Sequence, residues 1–258
     1  MKQKQVGFRH FELNLSKILS NSLMSGRYSI VSSPKSIETH FKAKFEYAFE
    51  PNVNAHPMQM LPVISSLHPD KIVPYHWGLI PYWAKSSDIG QKNFNAWAEG
   101  IHKNSSFKIP LERRRCLVPA NGYIEWRNFS GIKSPYFVYS PGNPLIALAG
   151  LFDTWMNEAT EEITRSFTII TTKSNNRLRV ISRRMPVILR ESNYQKWLDV
   201  SKDYRQAMSL LRPMPDKLTN AYHISLSINN PVHNYPELLE PQQDPLAKDN
   251  LDIKMFFV

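Results

Sequence analysis

An α+β architecture is what the sequence predicts, one β-rich domain with helices at its flanks. Strand-like runs cluster in the middle of the chain, and helix-like periodicity appears only from Tyr194 onwards. Nineteen prolines against nine glycines in 258 residues favour fixed loops and interrupted strands over a helical bundle. Residues 1–23 read as an N-terminal extension or propeptide, and residues 24–258 as the folded domain.

From Met24 to about residue 80 the chain reads as loop-rich, with Pro34, Pro51, Pro57, Pro62 and Pro74 separating short apolar pieces such as Met60 to Ile64. Residues 135–152 and 166–172 read as strands, because Tyr136 to Tyr139, Leu145 to Leu151 and Phe167 to Ile170 are rich in aromatic and β-branched side chains. Met185 to Leu189 adds a short buried strand. Tyr194, Trp197 and Leu198 fall at helical spacing, as do Ala207, Leu210 and Leu211, and Pro213 and Pro215 stop the second run. From Pro231 the tail reads as an irregular strap.

Composition limits the function. Lys and Arg number 32 against 22 acids, a formal charge of +10 that attracts polyanions, nucleic acid foremost, although a merely basic surface accounts for it equally. The single Cys116 excludes an intramolecular disulfide and a cysteine metal cluster, and no close histidine pair suggests zinc. No metal and no cofactor are expected. No apolar run reaches membrane length, and residues 1–23 lack the apolar core of a secretory signal, so a cytoplasmic protein is expected.

Four segments place polar groups inside apolar stretches, where burial demands a partner. In the first, His76 to Lys85, Trp77 and Trp83 beside Lys85 suit stacking on unpaired bases, or an aromatic corner of the core. The second, Asn93 to Glu99, is followed by Phe107-Lys108 and Arg113-Arg114-Arg115. Its Asn95 could position a substrate or cap a helix, and the arginines could meet phosphate or form a solvated face. The third, Cys116 to Trp126, has a turn signal at Asn121-Gly122. Glu125 lies there between Ile124 and Trp126, either as a desolvated proton-exchanging carboxylate or as an outward strand residue; Cys116 reads as core. The fourth runs from Thr171 to Asn176 and from Ser182 to Leu189, bringing hydroxyls and arginines to one rim of a sheet.

In this order the segments resemble the SOS response-associated peptidase (SRAP) family, also called abasic-site processing proteins. The likeness runs from Met24 to about Pro241 through Trp77 to Pro81, Arg115 to Ala120 with Glu125-Trp126, Ala147 to Leu151, Arg184 to Leu189 and Pro236 to Pro241. It implies a SRAP-like domain with barrel-like sheets and a basic groove for single-stranded DNA carrying abasic sites. It also implies an exposed N-terminal cysteine whose amine condenses with the abasic aldehyde and whose thiol closes a thiazolidine.

Carried over by residue, the catalytic set is Ser25, Asn95, Glu125 and Ser182, with Ser25 standing where the family has its cysteine and Ser182 where it has a histidine. The DNA-contacting set is Arg27, Trp83, Trp97, Lys108, Trp126, Thr171 and Arg184; Trp97 replaces the family's usual arginine. Serine cannot form a thiazolidine, but its α-amine can still form an imine after removal of residues 1–23 and trimming of Met24 leave Ser25 as the first residue. The resemblance therefore leaves three readings: a reversible cross-linker acting through Ser25, a degenerate relative that binds single-stranded DNA without covalent chemistry, and a peptidase acting on its own N-terminus. A monomer, associated with the nucleoid when bound to DNA, is the expected state.

Overall fold

The computed structural model describes residues 26–244. Its centre is a closed ring of five strands: β4 (Met60–Ser65), β5 (His68–Trp77), β7 (Arg115–Ala120), β10 (Ile146–Met156) and β11 (Ile163–Lys173). Neighbours are antiparallel in the order β5-β4-β7-β10-β11, and the ring shuts where β11 meets β5 in parallel, with Ser166 opposite His76 and Phe167 opposite Trp77. Closure removes the edges that an open sheet would expose.

Beyond the ring, β11 continues as a rim. There β6 (Asn95–Trp97) lies parallel to it on one side and β12 (Arg184–Pro186) antiparallel on the other. The short strand β13 (Ile188–Leu189) pairs with β10. The short strand β2 (Lys44–Phe45) lies parallel to β5.

A second sheet, in the order β14 (Asn220–His223), β9 (Ile132–Tyr139), β8 (Gly122–Phe129), β1 (Tyr28–Ile30) and β3 (Asn52–Ala55), packs on this barrel. Alternation decides which side chains face inward. Tyr28, Ala55, Tyr123, Tyr136, Val138 and Ala221 join the large core, while Val53, Ile124 and Phe137 form a smaller outer core with Ile224, Ile228 and Leu238. The outer core is thus roofed by residues from the segment that follows β14.

The loop-rich reading of residues 24–80 is corrected. That stretch holds β1, β3, β4, β5 and a helix, α1 (Pro34–Phe41). Pro62 and Pro74 face one another across β4 and β5, so their missing donors fall in one rung of the ladder rather than two. Ser33 caps α1 by accepting from Ser36 N, Pro34 takes the first turn, and Ile37 and Phe41 are buried four apart. The strands read at 135–152, 166–172 and 185–189 are present in β9 to β13. The first helix signal becomes α3 (Tyr194–Leu198), while the second falls on α4 (Tyr204–Met208) only at Ala207, with Leu210 and Leu211 lying beyond its end. A further helix, α2 (Lys108–Arg113), leads into β7.

Asn121-Gly122 is a change of sheet rather than a hairpin, since β7 belongs to the barrel and β8 to the second sheet. Asn121 holds the crossing by accepting from Val31 N and Ser32 N and donating to Ser32 Oγ and Pro144 O. Gly122 is required because a Cβ there would lie 2.4 Å from both Phe137 Cζ and Val138 O. No helix among the described residues is long and apolar enough to cross a membrane.

Candidate nucleic-acid interface and reaction site

Two parts of the fold meet at Gly26. On the rim, Phe94 O accepts from Ile169 N at 3.1 Å and from the buried Trp77 indole at 2.8 Å, which fixes the start of β6. In the second sheet, Tyr28 opposes Tyr123, and Ile124 N donates to Arg27 O at 3.0 Å. Two more steps of that register set Gly26 opposite Glu125. A Cβ on Gly26 would lie 2.7 Å from Pro57 Cγ and 3.2 Å from Phe94 Cε2. Only a glycine fits where His56-Pro57, Phe94-Asn95 and Glu125 converge.

Glu125 is 5% exposed, which removes its reading as an outward strand residue, and its Oε1 accepts from Trp126 N at 3.4 Å. It faces Tyr136 across β9. Tyr123 lies on the same face, and burial, reinforced by Glu125, pushes its phenol well above the usual range. That phenol therefore stays protonated at neutral pH. Asn95 lies in β6 opposite Ile169, half-buried, so it does not cap a helix.

The other half of the site is cationic and aromatic. Arg184 Nε donates to Thr171 Oγ1 at 3.2 Å. Its Nη2 donates to Thr171 O and to Glu99 Oε2, both at 2.8 Å. Its guanidinium lies 4.6 Å from the centre of the Trp97 ring, and that ring is 50% exposed. Register explains the grouping, since Thr171 is opposite Trp97 on one side and Pro186 on the other. Ser182 is half-buried, and its Oγ accepts from Arg184 N at 3.4 Å, so it braces the turn into β12.

Arg27 is buried, with Nη1 donating to Asn54 Oδ1 at 2.7 Å, and burial lowers its pKa to about 10, leaving it charged. Trp126 is half-buried and donates from Nε1 to Asn229 Oδ1 at 2.7 Å. Lys108 is exposed at the start of α2. Trp83 is 46% exposed but stands apart from Trp97. Its neighbours Tyr82 and Ala84 are bonded to Asp153 and Trp155, near the Ser166 end of β11, about 17 Å of strand from Thr171. Ser25 lies outside the described residues.

Sequence reasoning passed over His56 and Asn54. His56 is 7% exposed and its Nδ1 donates to Pro57 O at 2.8 Å. Burial, offset in part by that bond and helped by Arg27, lowers its pKa to about 4, so the ring is neutral at pH 7. The signal available was a histidine directly before a proline that meets the start of the domain. The arginine triplet splits: Arg113 is exposed, Arg114 pairs with Asp153, and Arg115 is 1% exposed. Cys116 is core, and burial pushes its thiol far up. Among the described residues no group of three or more His, Cys, Asp or Glu is placed to hold a metal ion.

The pattern of the SOS response associated peptidase (SRAP) family matches residues 24–231. The chain is 36% identical over 225 residues to Abasic site processing protein YoqW of Bacillus subtilis, covering 84% of this chain and 99% of that one. It is 35% identical over 233 residues to Abasic site processing protein HMCES of Mus musculus, covering 74% of this chain and 65% of that one. A crystal structure of a Bacteroides thetaiotaomicron protein superposes with a TM-score of 0.79 at 28% identity, covering 84% of this chain and 99% of that one.

Proposed function

The chain belongs to the SOS response associated peptidase family, and we propose that it processes abasic sites by holding them in single-stranded DNA and linking to them reversibly through the Ser25 α-amine. The convergence at Gly26 carries this reading. The residue following Ser25 is wedged between Pro57 and Phe94, beside Asn95 and opposite Glu125. A free Ser25 amine, with a reference pKa near 8, retains a nucleophilic fraction at neutral pH.

In the proposed reaction the amine nitrogen adds to the aldehyde carbon of the ring-opened sugar. Glu125 relays the two nitrogen protons in turn, the first to the alkoxide oxygen, giving the carbinolamine, and the second to the carbinolamine hydroxyl. That hydroxyl leaves as water while the C=N bond forms, and Asn95 orients the sugar by hydrogen bonds. Serine stands where the family resemblance puts cysteine. The linkage therefore stops at an imine, or at an oxazolidine that hydrolyses readily, and remains reversible.

Borohydride reduction of the imine is expected to trap a covalent complex with abasic single-stranded DNA when intact mass confirms Ser25 as the first residue. A chain retaining residues 1–24, whose Ser25 nitrogen is an amide, is expected to give none. No trapped band from a verified Ser25 N-terminus would overturn the covalent reading.

One observation supports a non-covalent alternative: Ser182 stands where the resemblance puts histidine, and its hydroxyl is engaged with Arg184 N. Binding without trapping is that alternative's signature. In either reading the exposed Trp97 ring, backed by Arg184, offers a base-stacking face. Trp97→Ala is expected to weaken binding by about 1–3 kcal/mol. The slope of log K against log salt should hold, because no phosphate contact is removed. A change in slope with unchanged affinity would contradict the stacking role.

A further inference from the structure

We propose that the segment from Leu226 to Asn234 is a positioning strap for nucleic-acid contact, in which Asn229 sets the indole of Trp126 and Asn54 sets the guanidinium of Arg27. The inference rests on the reading that Arg27 and Trp126 touch DNA. It assigns positioning roles to two asparagines that contact neither base nor phosphate in that reading.

Arg27 and Trp126 share the outer face of the second sheet. Arg27 opposes Ile124 through the Ile124 N to Arg27 O bond, and Trp126 lies two residues further along β8. The strap reaches both. The Trp126 Nε1–H ends on Asn229 Oδ1 at 2.7 Å, and a half-buried indole with its one donor anchored keeps one ring orientation.

Asn54, 1% exposed, works from the other side. Its Oδ1 accepts from Arg27 Nη1, while its Nδ2 hydrogens point among three strap carbonyls: Ile228 O at 3.2 Å, Asn230 O at 3.0 Å and His233 O at 3.1 Å. Arg27 Nε has no hydrogen-bond partner among the described residues, so the amide of Asn54 is what aligns the guanidinium fork.

The strap is braced internally and tied again to the sheet. Asn230 Nδ2 lies 3.2 Å from His233 Nε2 and donates to it. His233 Nδ1 therefore carries the proton that it gives to Ser227 O at 2.9 Å. Asn234 Oδ1 accepts from Val53 N at 2.7 Å. A segment without regular strand pairing thus holds one shape through asparagine side chains, and consecutive residues of it govern both contact groups.

Asn229 is exposed, so its replacement tests positioning without threatening the fold, whereas the buried Asn54 does not offer that safety. The experiment is a double-mutant cycle of Asn229→Leu and Trp126→Phe, read by binding to a defined abasic single strand and by the chemical shift of the Trp126 indole proton.

Asn229→Leu alone is expected to shift that resonance and weaken binding about 5- to 20-fold, within the range of one lost stacking contact. In the Trp126→Phe background, where no indole remains to orient, the same change should cost less than about twofold. Equal losses in both backgrounds, or no loss in either, overturn the inference while leaving the function intact. A wild-type chain that does not bind the strand overturns both.

Discussion

Glutamine in place of Glu125 is expected to lower the rate of borohydride-trapped cross-linking by about 10²- to 10⁴-fold, the range for loss of a positioned proton carrier. Imine formation moves two protons in turn from the amine nitrogen to the departing oxygen, and the proposal routes both through this carboxylate. Glutamine preserves shape and can still accept from Trp126 N, so the fold and the strand-binding surface should survive. Tyr123 on the same face is no substitute base, because its burial, which the substitution leaves in place, keeps its phenol protonated. His56 holds its Nδ1 proton against Pro57 O and is a weak base with its pKa near 4. The check is a single-turnover trapping rate beside an equilibrium titration of the same strand. Unchanged binding with a collapsed rate is the expected pair. An unchanged rate would remove Glu125 from the chemistry.

What the sequence disclosed followed the range of the signal. The aromatic and β-branched runs at Tyr136–Tyr139, Leu145–Leu151 and Phe167–Ile170 are local, and each lies in a strand of the structure. The helix at Pro34–Phe41 is readable too, from Ser33-Pro34 followed by Ile37 and Phe41, but a proline at a helix start reads equally as loop punctuation. Five-strand closure was not readable, since it depends on Phe167 meeting Trp77 across ninety residues of chain.

The site divides in the same way. Glu125-Trp126 and Arg184 announce themselves by local oddity, while the roles of Asn54 and Asn229 exist only once the strap lies on the sheet. The separation of Trp83 from Trp97 is likewise a matter of register. One sits near the Ser166 end of β11 and the other opposite Thr171, and segment spacing carries no such information.

Arg115 makes the same point in energetic terms. An arginine in the run Arg113-Arg114-Arg115 invites a phosphate-binding role, yet Arg115 is 1% exposed and its guanidinium is bonded to four backbone carbonyls. Nη1 donates to Leu111 O at 2.8 Å and Glu112 O at 3.2 Å at the end of α2. Nε donates to Trp197 O at 2.5 Å and Nη2 to Asp199 O at 2.6 Å at the end of α3. One side chain thus satisfies carbonyls that two short helices would otherwise leave unpaired, and its charge faces the negative ends of both. The ring of Trp197, whose Nε1 donates to Cys116 O at 2.9 Å, lies 5.7 Å from the guanidinium.

Arg115→Met keeps the volume and strands those carbonyls. A loss of about 3–5 kcal/mol follows from the cost of breaking a buried charged network. For a domain of this size that corresponds to a fall in Tm on the order of 10 °C. Arg115→Lys should recover only part, because an ammonium on a flexible stem cannot span two helix ends as a planar fork does. Thermal unfolding decides the stability claim, and strand binding by the folded variant decides the location. Affinity within about twofold of wild type would place Arg115 in the scaffold. A binding loss of tenfold with unchanged Tm would place it at the nucleic acid and overturn the assignment.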